Sequence, residues 1–145
     1  MNRVTEKNKK PHFVVTAGLI WKNGKLLIAK RPQGTHLEGF WEFPGGKQKE
    51  GEGLKECLER EIDEELGIKA RVEEPFLTVD HEYPKKRISL HVFNCTWLKG
   101  KPLPLQCQEV RWAVFDDLSK LPFPPPDIKV IEALAGRGKK EKRRI

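Results

Sequence analysis

The chain has 145 residues, enough for one domain whose core folds unaided. Its three cysteines, Cys57, Cys95 and Cys107, show no C-x-x-C spacing, no run approaches about 18 apolar residues and Met1 to Pro11 is charged, which speaks against a disulfide framework, a zinc ribbon, a membrane span and a signal peptide and leaves a soluble protein of the reducing cytoplasm as the expectation. The formal charge of +7 lies largely in Lys7, Lys9 and Lys10 and in Arg137 to Arg144, so basic tails (residues 1–11 and 137–145) are expected around one domain (residues 12–136), with a field that attracts anions but without a stable nucleic-acid partner.

Phe13 to Trp21 is a β-rich run, Asn23-Gly24 is the favoured two-residue hairpin turn, and Lys25 to Ala29 resumes the strand. A loop with Pro32, Gly34 and Gly39 leads to the aromatic stretch Phe40-Trp41-Glu42-Phe43, which Pro44-Gly45-Gly46 cuts off. Helix is predicted from about Glu52 to Leu66, where Leu54, Leu58, Ile62 and Leu66 form an apolar ridge and Gly67 suits a left-handed stop. Val72 to Val79, Ile88 to Leu98 and Val110 to Phe115 read as strands. A second helix is predicted from Asp127 to Ala135, behind Pro122, Pro124, Pro125 and Pro126. Strands on both sides of a central helix, with another helix after them, predict an α/β domain with a mixed β-sheet between helices.

Glu61, Glu64 and Glu65 fall within an arc of roughly 100° on the predicted helix. Their charges repel unless cations lie among them, and hard divalent ions such as Mg²⁺ and Mn²⁺ take such oxygen ligands and bind phosphate oxygens as well. The alternative is a solvated acidic helix laced with ion pairs.

The window from Gly46 to Ile68 fills every fixed position of the pattern G-x5-E-x7-R-E-U-x-E-E-x-G-U, U being aliphatic, with Gly46, Glu52, Arg60, Glu61, Ile62, Glu64, Glu65, Gly67 and Ile68. Seven fixed non-aliphatic positions coincide by chance on the order of 10⁻⁸ per start point. The pattern is that of the Nudix hydrolases, and the chain resembles their MutT-like branch from Phe13 to Leu134. Trp41 to Lys47, His81 to Pro84, Arg111-Trp112 and Phe123 to Asp127 carry the likeness. The resemblance implies the Nudix α/β/α sandwich and a Mg²⁺-dependent nucleoside triphosphate pyrophosphohydrolase, with Mn²⁺ as a substitute, that removes oxidised precursors such as 8-oxo-dGTP. Two alternatives stay open: an enzyme for CTP or 5-methyl-dCTP, and a non-catalytic lesion-binding module. A monomer or weak homodimer is expected.

By the same resemblance, Glu61, Glu64 and Glu65 hold the metal together with the Gly45 carbonyl. Arg60 orients a glutamate such as Glu52 through a bidentate ion pair. Glu64 and Glu65 both stand as candidates for the general base. Gln106 occupies a position where many relatives have glutamate, and Glu109 is the nearest acidic residue. Arg31 and His36 match nucleotide-binding positions, Lys86 stands where some relatives have arginine, and Phe43 either stacks on a base or fills core. Asp127 either meets the base or caps its helix; if ionised it only accepts, which suits the N–H groups of 8-oxoguanine or the amine of cytosine.

Overall fold

Asn23 and Gly24 take left-handed backbone conformations, φ 51° and 74°, and so turn β1 (His12–Lys22) back onto β2 (Lys25–Lys30). The computed structural model describes the backbone of residues 10–144 and the side chains as far as Arg137; Lys7, Lys9 and the other residues before Lys10 in the expected N-terminal tail lie outside it. β1 is the central strand. It runs parallel to β6 (Lys86–Lys99) from the pair His12 and Arg87 to the pair Ile20 and Cys95, and antiparallel to the short β4 (Gly45–Lys47). β5 (Lys69–Tyr83) pairs antiparallel with β6 as a hairpin. On the other side β2 pairs antiparallel with both β3 (Trp41–Glu42) and β7 (Glu109–Val114).

Alternation along β2 makes the two faces of the sheet. Leu26 and Ile28 enter one core, Leu27 and Ala29 the other, and all four are fully buried. Helix α1 (Leu54–Leu66) sets Leu58, Ile62 and Leu66 against Ile20, Leu27, Val72 and Phe93, and it ends at Gly67, φ 69°, whose N–H bonds the Asp63 carbonyl. Against the opposite face pack Leu118 of α2 (Phe115–Leu118) and Val130 of α3 (Pro125–Arg144). The result is the predicted mixed sheet between helices.

Beside the short β3, β4 and α2, which the sequence reading lacks, two predicted elements change their extent. Helix α3 begins two residues before Asp127 and extends to Arg144, through the segment read as a basic tail. Proline is tolerated in the first helical turn because its missing N–H has no partner there, so Pro125 and Pro126 start the helix rather than precede it. Strand β5 is twice the predicted length; register shifts on either side of Pro75 let an outer strand carry a proline. Among the described residues no helix is long and apolar enough to cross a membrane.

Candidate active site

A cleft of about 260 Å³ opens between β1, the loop after β2, the β5–β6 turn and the start of α3. Arg31, His36, Phe43, Lys86 and Asp127, widely spaced in sequence, all line it, together with Gly45. Arg31 donates from Nη1 to Glu42 Oε2 at 2.8 Å and from Nε to the His36 carbonyl at 2.7 Å, which fixes the guanidinium at the rim. His36 is exposed; partial burial and the charges of Lys86 and Arg31 lower its pKa and favour the neutral imidazole. Lys86 likewise has its pKa lowered by burial, by Lys47 and by Arg31, so the mouth of the cleft gathers positive charge. Phe43 is 2% exposed and packs on Phe123, ring centroids 5.7 Å apart, so it is core as well as cleft wall.

Beside the cleft, two glycines permit an approach that any side chain would block. A Cβ at Gly45 would stand 1.9 Å from the Thr16 carbonyl oxygen, and one at Gly46 would stand 2.4 Å from the Glu61 carboxyl carbon. Strand β4 therefore lies directly between β1 and the acidic face of α1. Thr16, buried and not singled out in the sequence, donates to the Gly46 carbonyl at 3.2 Å.

The acidic face itself is divided. Arg60 donates from Nε and Nη2 to both oxygens of Glu52, at 2.6 and 2.9 Å, and from Nη1 to Glu61 and Glu64 at 2.8 and 3.1 Å. These bonds hold the Glu52 carboxyl down at about 2 and raise the Arg60 pKa. Glu65 is turned the other way: it is 7% exposed, and its Oε1 has no hydrogen-bond partner among the described residues. Burial, then the charges of Glu42 and Glu61, push its pKa up to about 8, partly offset by the Gly45 N–H. Among the described residues no three acidic, histidine or cysteine side chains converge on one point. The three helix glutamates share a face, yet Arg60 draws two of them away from the third.

Glu42 joins this group and was missed in the sequence. Burial raises its pKa against the pull of its Arg31 partner. The signal for it was a charge between Trp41 and Phe43, because an ionisable group in an aromatic run needs a partner once buried. Asp127 also departs from expectation. It is the third residue of α3, inside the first turn rather than at the cap, and its Oδ2 accepts the Phe43 N–H at 3.2 Å. Burial and the charge of Glu42 push its pKa up to about 8, so at neutral pH it is chiefly the acid, a donor as well as an acceptor. Gln106 is exposed; its N–H and that of Leu105 bond the Glu65 carbonyl, which closes the end of α1. Glu109 pairs with Arg111 at 3.1 Å at the start of β7.

Residues 16–133 match the family model described as NUDIX domain. The chain belongs to the NUDIX family. It is 34% identical over 119 residues to the CTP pyrophosphohydrolase of Escherichia coli (strain K12), covering 82% of this chain and 88% of that protein. It is 35% identical over 120 residues to an 8-oxo-dGTP diphosphatase of Buchnera aphidicola subsp. Schizaphis graminum, covering 83% and 91%. The crystal structure of a MutT protein from Methanosarcina mazei Go1 superposes with a TM-score of 0.80 at 25% identity, over 90% of this chain and 98% of that one.

This protein is thus a Nudix hydrolase, and hydrolases of this family generally need a divalent metal. The residues present fit such an ion. The carboxylates of the divided acidic face offer hard oxygen donors, and the buried, unpartnered Glu65 Oε1 faces repulsion from Glu42 and Glu61 that a cation would remove. The Arg60–Glu52 pair gives a first prediction for this Nudix chain. Arg60→Lys cannot keep the two-pronged bond, so Glu61 and Glu64 lose their anchor and kcat is expected to fall roughly tenfold to a hundredfold. Glu52, with a carboxyl at about 2 in the fold against 4.5 ordinarily, contributes stability above pH 4.5 that is lost as pH falls towards 2. Acid unfolding of Arg60→Lys is therefore expected at higher pH than in wild type; circular dichroism during acid titration measures it, and coincident curves would refute the assignment.

Proposed function

We propose that this Nudix hydrolase is a nucleoside triphosphate pyrophosphohydrolase that uses Mg²⁺, with Mn²⁺ as a substitute, and acts on oxidised purine deoxynucleotides such as 8-oxo-dGTP. The observation that carries the reading is a single cleft with cations at its mouth, a carboxylic acid buried in its wall, and the acidic face of α1 beside it. Glu61, Glu64, Glu65 and the Gly45 carbonyl would hold the metal, which when bound offsets phosphate charge and acidifies water. Arg31, Lys86 and Lys47 receive the phosphates and sugar, and Arg60 steers Glu61 and Glu64. Water adds to the β-phosphorus, the bond to the α-phosphate oxygen breaks, and nucleoside monophosphate and pyrophosphate leave. The catalytic unit is residues 12–136, acting as a monomer or weak homodimer in a reducing cytoplasm where its cysteines stay thiols.

In its acid form Asp127 donates from O–H and accepts at the carbonyl oxygen. That pair complements the O6 carbonyl and N7–H of 8-oxoguanine, and equally the N3 and amine of cytosine. The similarity to the CTP pyrophosphohydrolase supports the cytidine reading, and the 8-oxo-dGTP diphosphatases support the oxidised purine. Pyrophosphate release from 8-oxo-dGTP, dGTP, CTP and 5-methyl-dCTP with Mg²⁺ tests this: kcat/KM is expected to be highest for 8-oxo-dGTP, and a higher value for CTP would replace the substrate named. A second expectation concerns pH. As Asp127 ionises near pH 8 it loses the O–H that can serve the O6 and N7 acceptors of dGTP but still accepts the N7–H of 8-oxoguanine, so the preference for 8-oxo-dGTP over dGTP is expected to rise by about tenfold between pH 7 and 9. Because its folded pKa lies above the ordinary 3.8, its contribution to stability falls from pH 4 to pH 8 and is flat beyond. Asp127→Asn cannot ionise and is expected to lose both dependences; an unchanged pH profile of the preference in Asp127→Asn would show that another group is responsible.

A further inference from the structure

Tyr83, the only tyrosine of the chain, stands at the turn between β5 and β6 and lines the cleft. Its ring is clamped by two histidines from different elements. His36 meets it with ring centroids 5.0 Å apart and planes at 84°, and His81 with 4.6 Å and 75°. Lys86 Nζ lies 5.5 Å from the ring centre, and Lys10 Nζ donates to the Tyr83 carbonyl at 3.1 Å. Edge-to-face contacts and an ammonium near the ring hold an aromatic plane in one orientation.

The hydroxyl is the unused part. Among the described residues it makes no hydrogen bond, although the ring is partly buried. Burial first, then Asp127 and Glu42 when ionised, raise its pKa, while Arg31 opposes, so it is a neutral O–H in the cleft that Asp127 also lines. A half-buried phenol without a partner among the described residues, in a cleft also lined by a carboxylic acid, is suited to a polar ligand edge.

We infer that Tyr83 is a specificity-determining residue, its fixed ring forming one wall for the nucleobase and its hydroxyl bonding the base edge beside Asp127. The inference rests on the nucleotide reading proposed above. It assigns the two histidines a positioning role: they set the ring plane and need not touch substrate.

A single tyrosine makes the test direct. Carbon-13-labelled tyrosine gives one resonance, which is expected to shift saturably as 8-oxo-dGMP is titrated in with Mg²⁺, and to shift less with CMP. In parallel, kcat and KM are measured for 8-oxo-dGTP, dGTP and CTP with Tyr83→Phe and Tyr83→Leu. Loss of the ring in Tyr83→Leu is expected to raise KM for every base about tenfold. Tyr83→Phe is expected to recover that affinity while its discrimination between bases stays about tenfold below wild type. A purely structural role at the turn would lower the melting temperature of both variants and leave the ranking of bases alone. A ranking in Tyr83→Phe within twofold of wild type, or a resonance that does not move at saturating nucleotide, overturns the inference. Wild-type protein that shifts the resonance with 8-oxo-dGMP but releases no pyrophosphate would overturn the proposed activity and leave Tyr83 as a base contact.

Discussion

Glu65→Gln is expected to lower kcat by roughly three orders of magnitude and, without metal, to make the protein more stable. The loss follows if Glu65 is the charged metal ligand proposed above, since metal activation is worth several kcal/mol and each tenfold of rate is about 1.4 kcal/mol. The gain follows from the surroundings of the carboxyl. Glu65 is buried beside Glu42 and Glu61, and its pKa stands at about 8 against an ordinary 4.5. An unfolded chain ionises this group from pH 4.5 upward while the folded chain holds the proton until about 8, so stability declines across that window and is flat above it. At pH 7 the cost is on the order of 3 kcal/mol. Glutamine has the same shape and no charge, so the metal-free melting temperature is expected to rise by a few degrees. Mg²⁺ should stabilise wild type and not the variant. Differential scanning calorimetry with and without Mg²⁺, beside a turnover assay, reads all three effects; a kcat within tenfold of wild type would remove Glu65 from the metal site.

Gly45→Ala is expected to be the most damaging single methyl group that can be added to this fold. The new Cβ would stand 1.9 Å from the Thr16 carbonyl oxygen and 2.9 Å from the Ala17 Cα. Both are backbone atoms in β1 and neither can swing aside. Relief requires β4 to leave β1, which breaks the pairing of Val15, Thr16 and Ala17 with Lys47, Gly46 and Gly45, and strains the bond from Gly18 N–H to the Pro44 carbonyl. A cost above about 3 kcal/mol is expected, a large share of the stability of a small domain. The neighbouring substitution makes the control. A Cβ at Gly46 would meet the end of the Glu61 side chain, at 2.4 Å, and that end can rotate. Gly46→Ala is therefore expected to keep its melting temperature within a few degrees while losing most of its turnover. Equal melting temperatures for Gly45→Ala and wild type would contradict this account.

The parts of this structure that were legible in the sequence are those set by near neighbours. Asn23-Gly24 announces its turn, the short apolar run from Lys25 to Ala29 behind it announces a strand, and Leu58, Ile62 and Leu66 announce the buried side of α1. Strands β3 and β4 have two and three residues, too few for any period to appear. Proline misled at one place, where Pro125 and Pro126 looked like a boundary when they begin α3, whereas the strand read from Val72 to Val79 already ran through Pro75 and fell short only at the two ends of β5. The family pattern pointed to Arg31, His36, Lys86 and Asp127, and the fold brings them to one cleft. What composition and spacing could not convey is environment. Asp127 is an acid at neutral pH because of what surrounds it, and Glu42, Thr16 and Tyr83 owe their places to contacts with distant segments.

Those distant contacts also govern how the molecule comes into being. The Phe43–Asp127 bond joins residues 84 positions apart, and the His12–Ser89 bond joins residues 77 apart. Closing such loops costs chain entropy before any contact repays it, so refolding is expected on the slow, millisecond-to-second side for a domain of this size. Helix α1 and the β5–β6 hairpin can form early from adjacent residues, whereas β1 must wait for β6 to be made before it gains its parallel neighbour. A nascent chain leaving the ribosome therefore carries its acidic helix beside an incomplete cleft until the segment bearing Asp127 has emerged and docked.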